Sequence, residues 1–160
     1  MNMTSTRLEL QKAIVARLLE PEMDIVDENG AKLPNPISLH NVPVFSRLAK
    51  DIESDIDDNL KGIGLNVFVH PAVGKGAKQY AHSIVFKGAT FDVTVSEDPT
   101  TNELPVNVWD VCEAVCLMLG NWTPPLDKAR IVTLADNPET DSSQGNLRQF
   151  TETFNLMFLL

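Results

Sequence analysis

"HSIVFKGATFDVTVSED", residues 82–98, decides what kind of fold this chain can adopt. Its second half alternates strictly: Phe91, Val93 and Val95 fall on one side, Asp92, Thr94 and Ser96 on the other. A period of two with one apolar side is the pattern of a half-buried antiparallel strand. Lys87-Gly88 interrupts the run as a turn pair does, so the stretch reads as two strands. On the N-terminal side "LNVFVH" (65–70) is a further short strand, stopped by Pro71. Between them "PAVGKGAKQYA" (71–81) reads as a mobile loop. On the C-terminal side "PTTNELP" (99–105) is a loop.

Helical periodicity frames these strands. In "TSTRLELQKAIVARLLE" (4–20), Leu10, Ile14 and Leu18 recur every four residues, and Thr6 with Glu9 makes a capping-box pattern. "NVPVFSRLAKDIESDIDDNLKG" (41–62) places Val44, Leu48, Ile52, Ile56 and Leu60 at the same spacing. Asn41 is its predicted cap, Pro43 suits its first turn, and Gly62 and Gly64 end it. "VNVWDVCEAVCLML" (106–119) is a third helix, with Val108, Cys112, Val115, Cys116 and Leu119 in one stripe. Trp109, Val111 and Met118 widen that stripe, so the helix belongs under a sheet or in a subunit interface. Gly120 is predicted to end it in the left-handed conformation. Trp122 is predicted to fold back on the helix end, and Pro124 and Pro125 forbid a restart.

The remaining segments complete the order. "MDIVDENGAKLPNPISL" (23–39) carries an Asn29-Gly30 turn pair and two prolines. It reads as a weak hairpin or an extended arm that orders only against a neighbour. "ARIVTLA" (129–135) is a strand and "DNPETDSSQGN" (136–146) an acidic polar loop. "LRQFTETFNLMFLL" (147–160) becomes apolar on both faces, which makes it a central strand or one covered by another chain. The expectation is one α+β domain over residues 1–160, with 21–42 as a weakly structured arm or hairpin. Its sheet is antiparallel or mixed, with helices on one face.

Composition narrows the function. The 160 residues are 43% hydrophobic and 22% charged, and 13 Lys and Arg face 22 Asp and Glu, a net charge of -9. Phosphate neutralisation needs clustered basic groups, so the balance opposes nucleic-acid binding. No basic n-region precedes an apolar core at the N-terminus, and no apolar run reaches the ~18 residues of a membrane span. Cys112 and Cys116, at i,i+4 on a helix, diverge from disulfide geometry and read as small buried hydrophobes.

No catalytic, cofactor or metal set emerges. His40, His70 and His82 have no partner at a recognisable spacing. "VGKGAK" (73–78) lacks the spacing and the following helix of a phosphate loop. "DIESDIDDN" (51–59) has the acids of a calcium loop without its glycine, and Ile52 and Ile56 mark a buried helix face instead. Function therefore has to be sought in surfaces. Lys75, Lys78 and Tyr80 in one loop, Asp136, Glu139 and Asp141 in another, and Trp122 are the interface candidates.

The order of elements then carries a resemblance. A sheet pair "IVFKGATFDVTVSED" leads through a loop to a helix ending "LGNWTPP", then a strand "ARIVTLA", an acidic loop and a last strand "TETFNLMF". With Gly120, Trp122 and Pro124 at the helix end, this resembles the tail terminator (tail completion) proteins of tailed bacteriophages. The resemblance is strongest over residues 63–160 and does not extend to 21–42. It implies a virion structural protein assembled in the host cytoplasm, forming a homo-hexameric ring on the end of the tail tube. Its partners would be the tail tube protein and a head-completion or neck protein, with DNA passing through the lumen unbound. The alternatives are another head–tail connector, a tail tube protein, a non-viral binding module or a small enzyme.

Overall fold

A computed structural model of the chain describes residues 3–46, 62–70, 78–80, 84–135, 140–144 and 147–159. The order is α1 (Met3–Leu18), β1 (Glu22–Val26), β2 (Lys32–Pro34), α2 (Pro36–Leu39), β3 (Val44–Ser46), β4 (Ile63–Val69), β5 (Lys78–Tyr80) and β6 (Ile84–Glu97). Then follow α3 (Val108–Leu119), β7 (Thr133–Leu134), β8 (Thr140–Gln144) and β9 (Leu147–Leu159). A mixed seven-stranded sheet runs β3-β4-β6-β9-β7, with β5 on β6 and β8 on β9. The chain is thus α+β with a mixed sheet, since β3 alone pairs in parallel, against β4.

Residues 84–97 form one strand, not two. Lys87 and Gly88 do not turn; they pair with Phe158 and Met157 in an unbroken antiparallel ladder from Phe86↔Leu159 to Glu97↔Arg148. A glycine turn signal is a local preference, and a partner strand offering ladder hydrogen bonds along the whole length overrides it. The alternation did fix the buried side. Phe91, Val93 and Val95 face Val69, Val67 and Leu65 of β4 on one flank. On the other flank Phe91 and Val95 face Phe154 and Phe150 of β9. All of these are buried, and the Phe91 and Phe154 rings stack at 5.1 Å. β9 is central, with β6 on one edge and β7 and β8 on the other.

α1 and α3 cover this apolar face. Leu10, Ile14 and Leu18 of α1 are fully buried, as the fourfold spacing required. The helix starts before Thr6, so Thr6 lies inside it and is buried instead of capping it. α3 is capped by Asn107, whose side chain accepts from the Trp109 amide at 2.9 Å. Val108, Val111, Ala114, Val115, Met118 and Leu119 of α3 are buried.

Several local expectations fail for identifiable reasons. The predicted helix over 41–62 does not begin at Asn41, which has φ 52. The Pro43 carbonyl accepts from the Leu65 amide at 2.9 Å, and Val44–Ser46 is a strand. Residue 42 precedes a proline and so favours extended backbone. The rest of that prediction, 47–61, lies outside the described residues, as does the 51–59 acidic run. Lys78–Tyr80 is strand β5 and Thr140–Gln144 is strand β8, both read from sequence as loop. In both cases the pairing partner lies along β6 or β9, out of reach of local chemistry. Within 129–135 only Thr133–Leu134 forms a ladder strand, with Ala129 bridging Phe158.

The arm at 21–42 orders against its own chain. β1 and β2 form the hairpin, and Asp27 Oδ1 accepts from the Asn29 and Ala31 amides at 2.8 and 3.0 Å. Gly30 takes the positive φ (80°) that this turn needs. Asn35, fully buried, then ties the arm down. Its side-chain amide donates to the Leu18 and Glu20 carbonyls at 2.8 Å each, and its Oδ1 accepts from the Ile37 amide. The same side chain therefore closes α1 and starts α2.

Candidate interaction surfaces

The end of α3 and the segment after it organise the helical side. Gly120 is not left-handed: its φ is −63°, and Asn121 takes the positive φ (61°) instead. Asn tolerates that region better than most residues, which is why the exit works one position later than the glycine suggests. Gly120 is needed for space, because a Cβ there would sit 2.8 Å from the Cys116 carbonyl oxygen. Asn121 donates to the Val132 carbonyl, and Val132 donates back to the Trp122 carbonyl at 2.7 Å. Trp122 is partly buried against the core, with the Arg17 guanidinium 5.8 Å from its ring centroid.

Arg17 joins four elements at this point. Its Nε donates to the Met118 carbonyl at 2.8 Å, and its two terminal nitrogens pair with Glu20 at 2.6 Å and Asp24 at 2.9 Å. The hydrogen bond from Arg17, then its charge, hold the Asp24 carboxyl below its ordinary pKa, and Lys32 adds to this. Asp98 is lowered by a different cause, the Thr100 hydroxyl and then the Thr100 amide donating to it.

A groove of about 320 Å³ opens between α3 and the hairpin. Met23, Leu33, Pro34 and Pro36 form one wall, and Ala114 lies on the other. Leu39 and Leu117 stand at its mouth, 59% and 39% exposed. Asp110 and Glu113, both exposed, border it on the α3 side. Neither acid has an ion-pair partner among the described residues. Beside them Trp109 is 53% exposed, its ring tilted at 52° to that of Phe150 with the centroids 4.7 Å apart.

A second surface lies along the edge of β9. Lys128, Arg130 and Ile131 are all exposed, Ile131 at 47%. The backbone there is held: Leu159 donates to the Lys128 carbonyl at 2.9 Å, and Arg130 donates to the Met157 carbonyl at 2.8 Å. Leu134, 48% exposed, continues the strip.

The sheet face away from the helices is polar. Asp92 accepts from Thr153 Oγ1 at 2.7 Å and meets His70 Nε2 at 2.9 Å. Thr94 bonds Thr151, and Thr90 donates to Asn155. The register explains these contacts, since Asp92↔Thr153, Thr94↔Thr151 and Thr90↔Asn155 are cross-strand pairs. The His70–Asp92 contact spans 22 residues, so no sequence spacing displayed it.

Of the interface candidates, Lys75, Asp136 and Glu139 lie outside the described residues, as does most of "VGKGAK". Lys78 and Tyr80 fall in β5, paired with β6, and Asp141 in β8, paired with β9. Trp122 supports the core more than it faces outward. The groove and the Lys128–Ile131 strip were both missed. The acids at the groove were the polar remainder of an apolar helix, and two basic residues among four make no basic run. Cys112 is buried and Cys116 partly so. Among the described residues no three His, Cys, Asp or Glu side chains cluster as a metal site. No helix among them is long and apolar enough to cross a membrane. Comparison with protein-family models finds no match, and comparison with curated proteins finds no significant relative.

Proposed function

We propose that this chain is a structural protein of a phage virion that forms a ring on the end of the tail tube, stops its growth and presents a surface to the head or neck. The reading rests first on the resemblance in element order, with a helix that ends in Gly120, Trp122 and Pro124. The structural observation that carries it is the pairing of two separate greasy surfaces on one small domain. Leu39 and Leu117 flank the groove on the helical side, and Ile131 and Leu134 line the sheet margin. Two different surfaces per copy are what a head-to-tail ring consumes, one as donor and one as acceptor. A net charge of -9 supports a lumen through which DNA moves without adsorbing.

The same observation favours one further reading, a different head–tail connector ring. Tail length separates the two. Particles assembled without this protein carry overlong tails if it is a terminator, and tails of normal length that fail to join heads if it is a connector. Tails that are both normal in length and joined to heads refute both.

A further inference from the structure

The groove between α3 and the hairpin has a chemical specification. Its walls are apolar, and its exposed border carries Asp110 and Glu113, one helical turn apart. An occupant that satisfies both offers an apolar side chain next to cations. This chain, though acidic overall, presents such a segment itself: Lys128 and Arg130, with Ile131 beside them, all exposed.

We propose that the groove receives the Lys128–Ile131 segment of a second copy, with Ile131 entering between Leu39 and Leu117 and the two cations meeting Asp110 and Glu113. The proposal deepens the ring reading and rests on it for the number of copies, because the contact alone fixes only that copies join head to tail. Three features support it. Neither Lys128 nor Arg130 has an ion-pair partner among the described residues, so their charges are free to be used between copies. The segment is already fixed by its hydrogen bonds to the β9 backbone, so docking orders little new chain. Donor and acceptor are also different surfaces, the groove on α3 and the hairpin, the segment beside β9. A copy that gives its segment keeps its own groove open for the next, which is the heterologous contact that propagates and closes into rings. Complementary charges would also fix the register of the contact between molecules that otherwise repel each other at -9 each.

Charge reversal tests both halves. One variant carries Asp110→Lys with Glu113→Lys, and the other Lys128→Glu with Arg130→Glu. All four side chains are exposed, so each variant should keep the circular dichroism spectrum of the parent. Sedimentation of the full chain is followed up to about 1 mM, where even a weak contact populates oligomers. The parent self-associates, and each variant loses association by roughly tenfold or more. A mixture of the two variants recovers higher assembly, because the intact segment of one meets the intact groove of the other and the two reversed surfaces are complementary in turn. The chain carrying all four reversals regains higher assembly. A parent that stays monomeric throughout overturns the proposal. So does a loss confined to the groove variant, which would mark a different occupant. Rings that form undiminished in both variants overturn this contact while leaving the ring reading intact. The ring reading fails separately, on tail length.

Discussion

Replacing Arg17 with methionine should cost this protein a large share of its stability although no residue of its sheet changes. Arg17 is nearly buried, at 9% exposure, and bridges α1, the end of α3, the hairpin and Trp122. Methionine keeps most of the apolar stem and removes the donors. The Met118 carbonyl then loses a buried partner, which costs about 1–3 kcal/mol. Loss of the contact with the Trp122 ring adds about 0.5–1 kcal/mol. The Glu20 pair adds about 0–1 kcal/mol, because that glutamate is 47% exposed. The sum is about 1.5–5 kcal/mol, and at this chain length 1 kcal/mol moves Tm by about 2–4 °C. Thermal unfolding followed by circular dichroism should therefore show Tm lower by about 3–20 °C, with the urea midpoint falling in step. Asp24→Asn is the internal comparison, since it removes only an exposed partner and should shift Tm far less. Equal shifts for the two variants, or an Arg17→Met change within error of zero, would refute the bridging role.

Three further outcomes follow from the same geometry. Folding lowers the Asp24 pKa, so its contribution is complete above the unfolded value of about 3.9 and is lost as pH falls through the folded value. Urea midpoints of Asp24→Asn should thus decline less steeply than the parent's between about pH 5 and about pH 2, with Asp98 supplying part of the slope that remains. Gly120→Ala pushes a methyl to 2.8 Å from the Cys116 carbonyl oxygen and should destabilise by about 1–3 kcal/mol in chemical unfolding, although φ −63° suits alanine. Asn35→Ala strips the Leu18 and Glu20 carbonyls and the Ile37 amide of a buried partner, and should cost about 2–4 kcal/mol, with hydrogen exchange rising first in the hairpin and α2.

The parts of the fold that were legible in the sequence are those set by periodicity within one element. Leu10, Ile14 and Leu18 declared the buried side of α1, and Phe91, Val93 and Val95 that of β6. The illegible parts are set by partners far along the chain. Lys87-Gly88 looks like a turn until Phe158 and Met157 lie beside it, and Thr140–Gln144 looks like a loop until β9 is present. Val44 fits a helical stripe equally well as a strand, and the Pro43 bond to Leu65 decides between them. The candidate surfaces fail for the same reason. The groove needs α3 and a hairpin some 80 residues earlier, from Met23 to Leu33 against Asp110 to Leu117. Polar residues on an apolar helix carry no mark of which one borders a cavity. Asn121 shows a subtler limit. The helix stop was visible, but the crowding at the Cys116 carbonyl that moves the left-handed residue one place on was not.

The two tryptophans sit in opposite circumstances, and this makes them separate optical reporters. Trp122 is wedged beneath a guanidinium at the meeting point of the helices and the hairpin, so its emission follows the loss of tertiary structure. Trp109 rests half in solvent, next in sequence to an acid that borders the groove, so its emission and its accessibility to quenchers follow whatever settles there. With Trp122→Phe, the remaining indole becomes a built-in probe of surface occupancy. With Trp109→Phe, the other becomes a probe of unfolding that is blind to assembly. The chain thus carries its own label for each of the two events, joining a neighbour and coming apart.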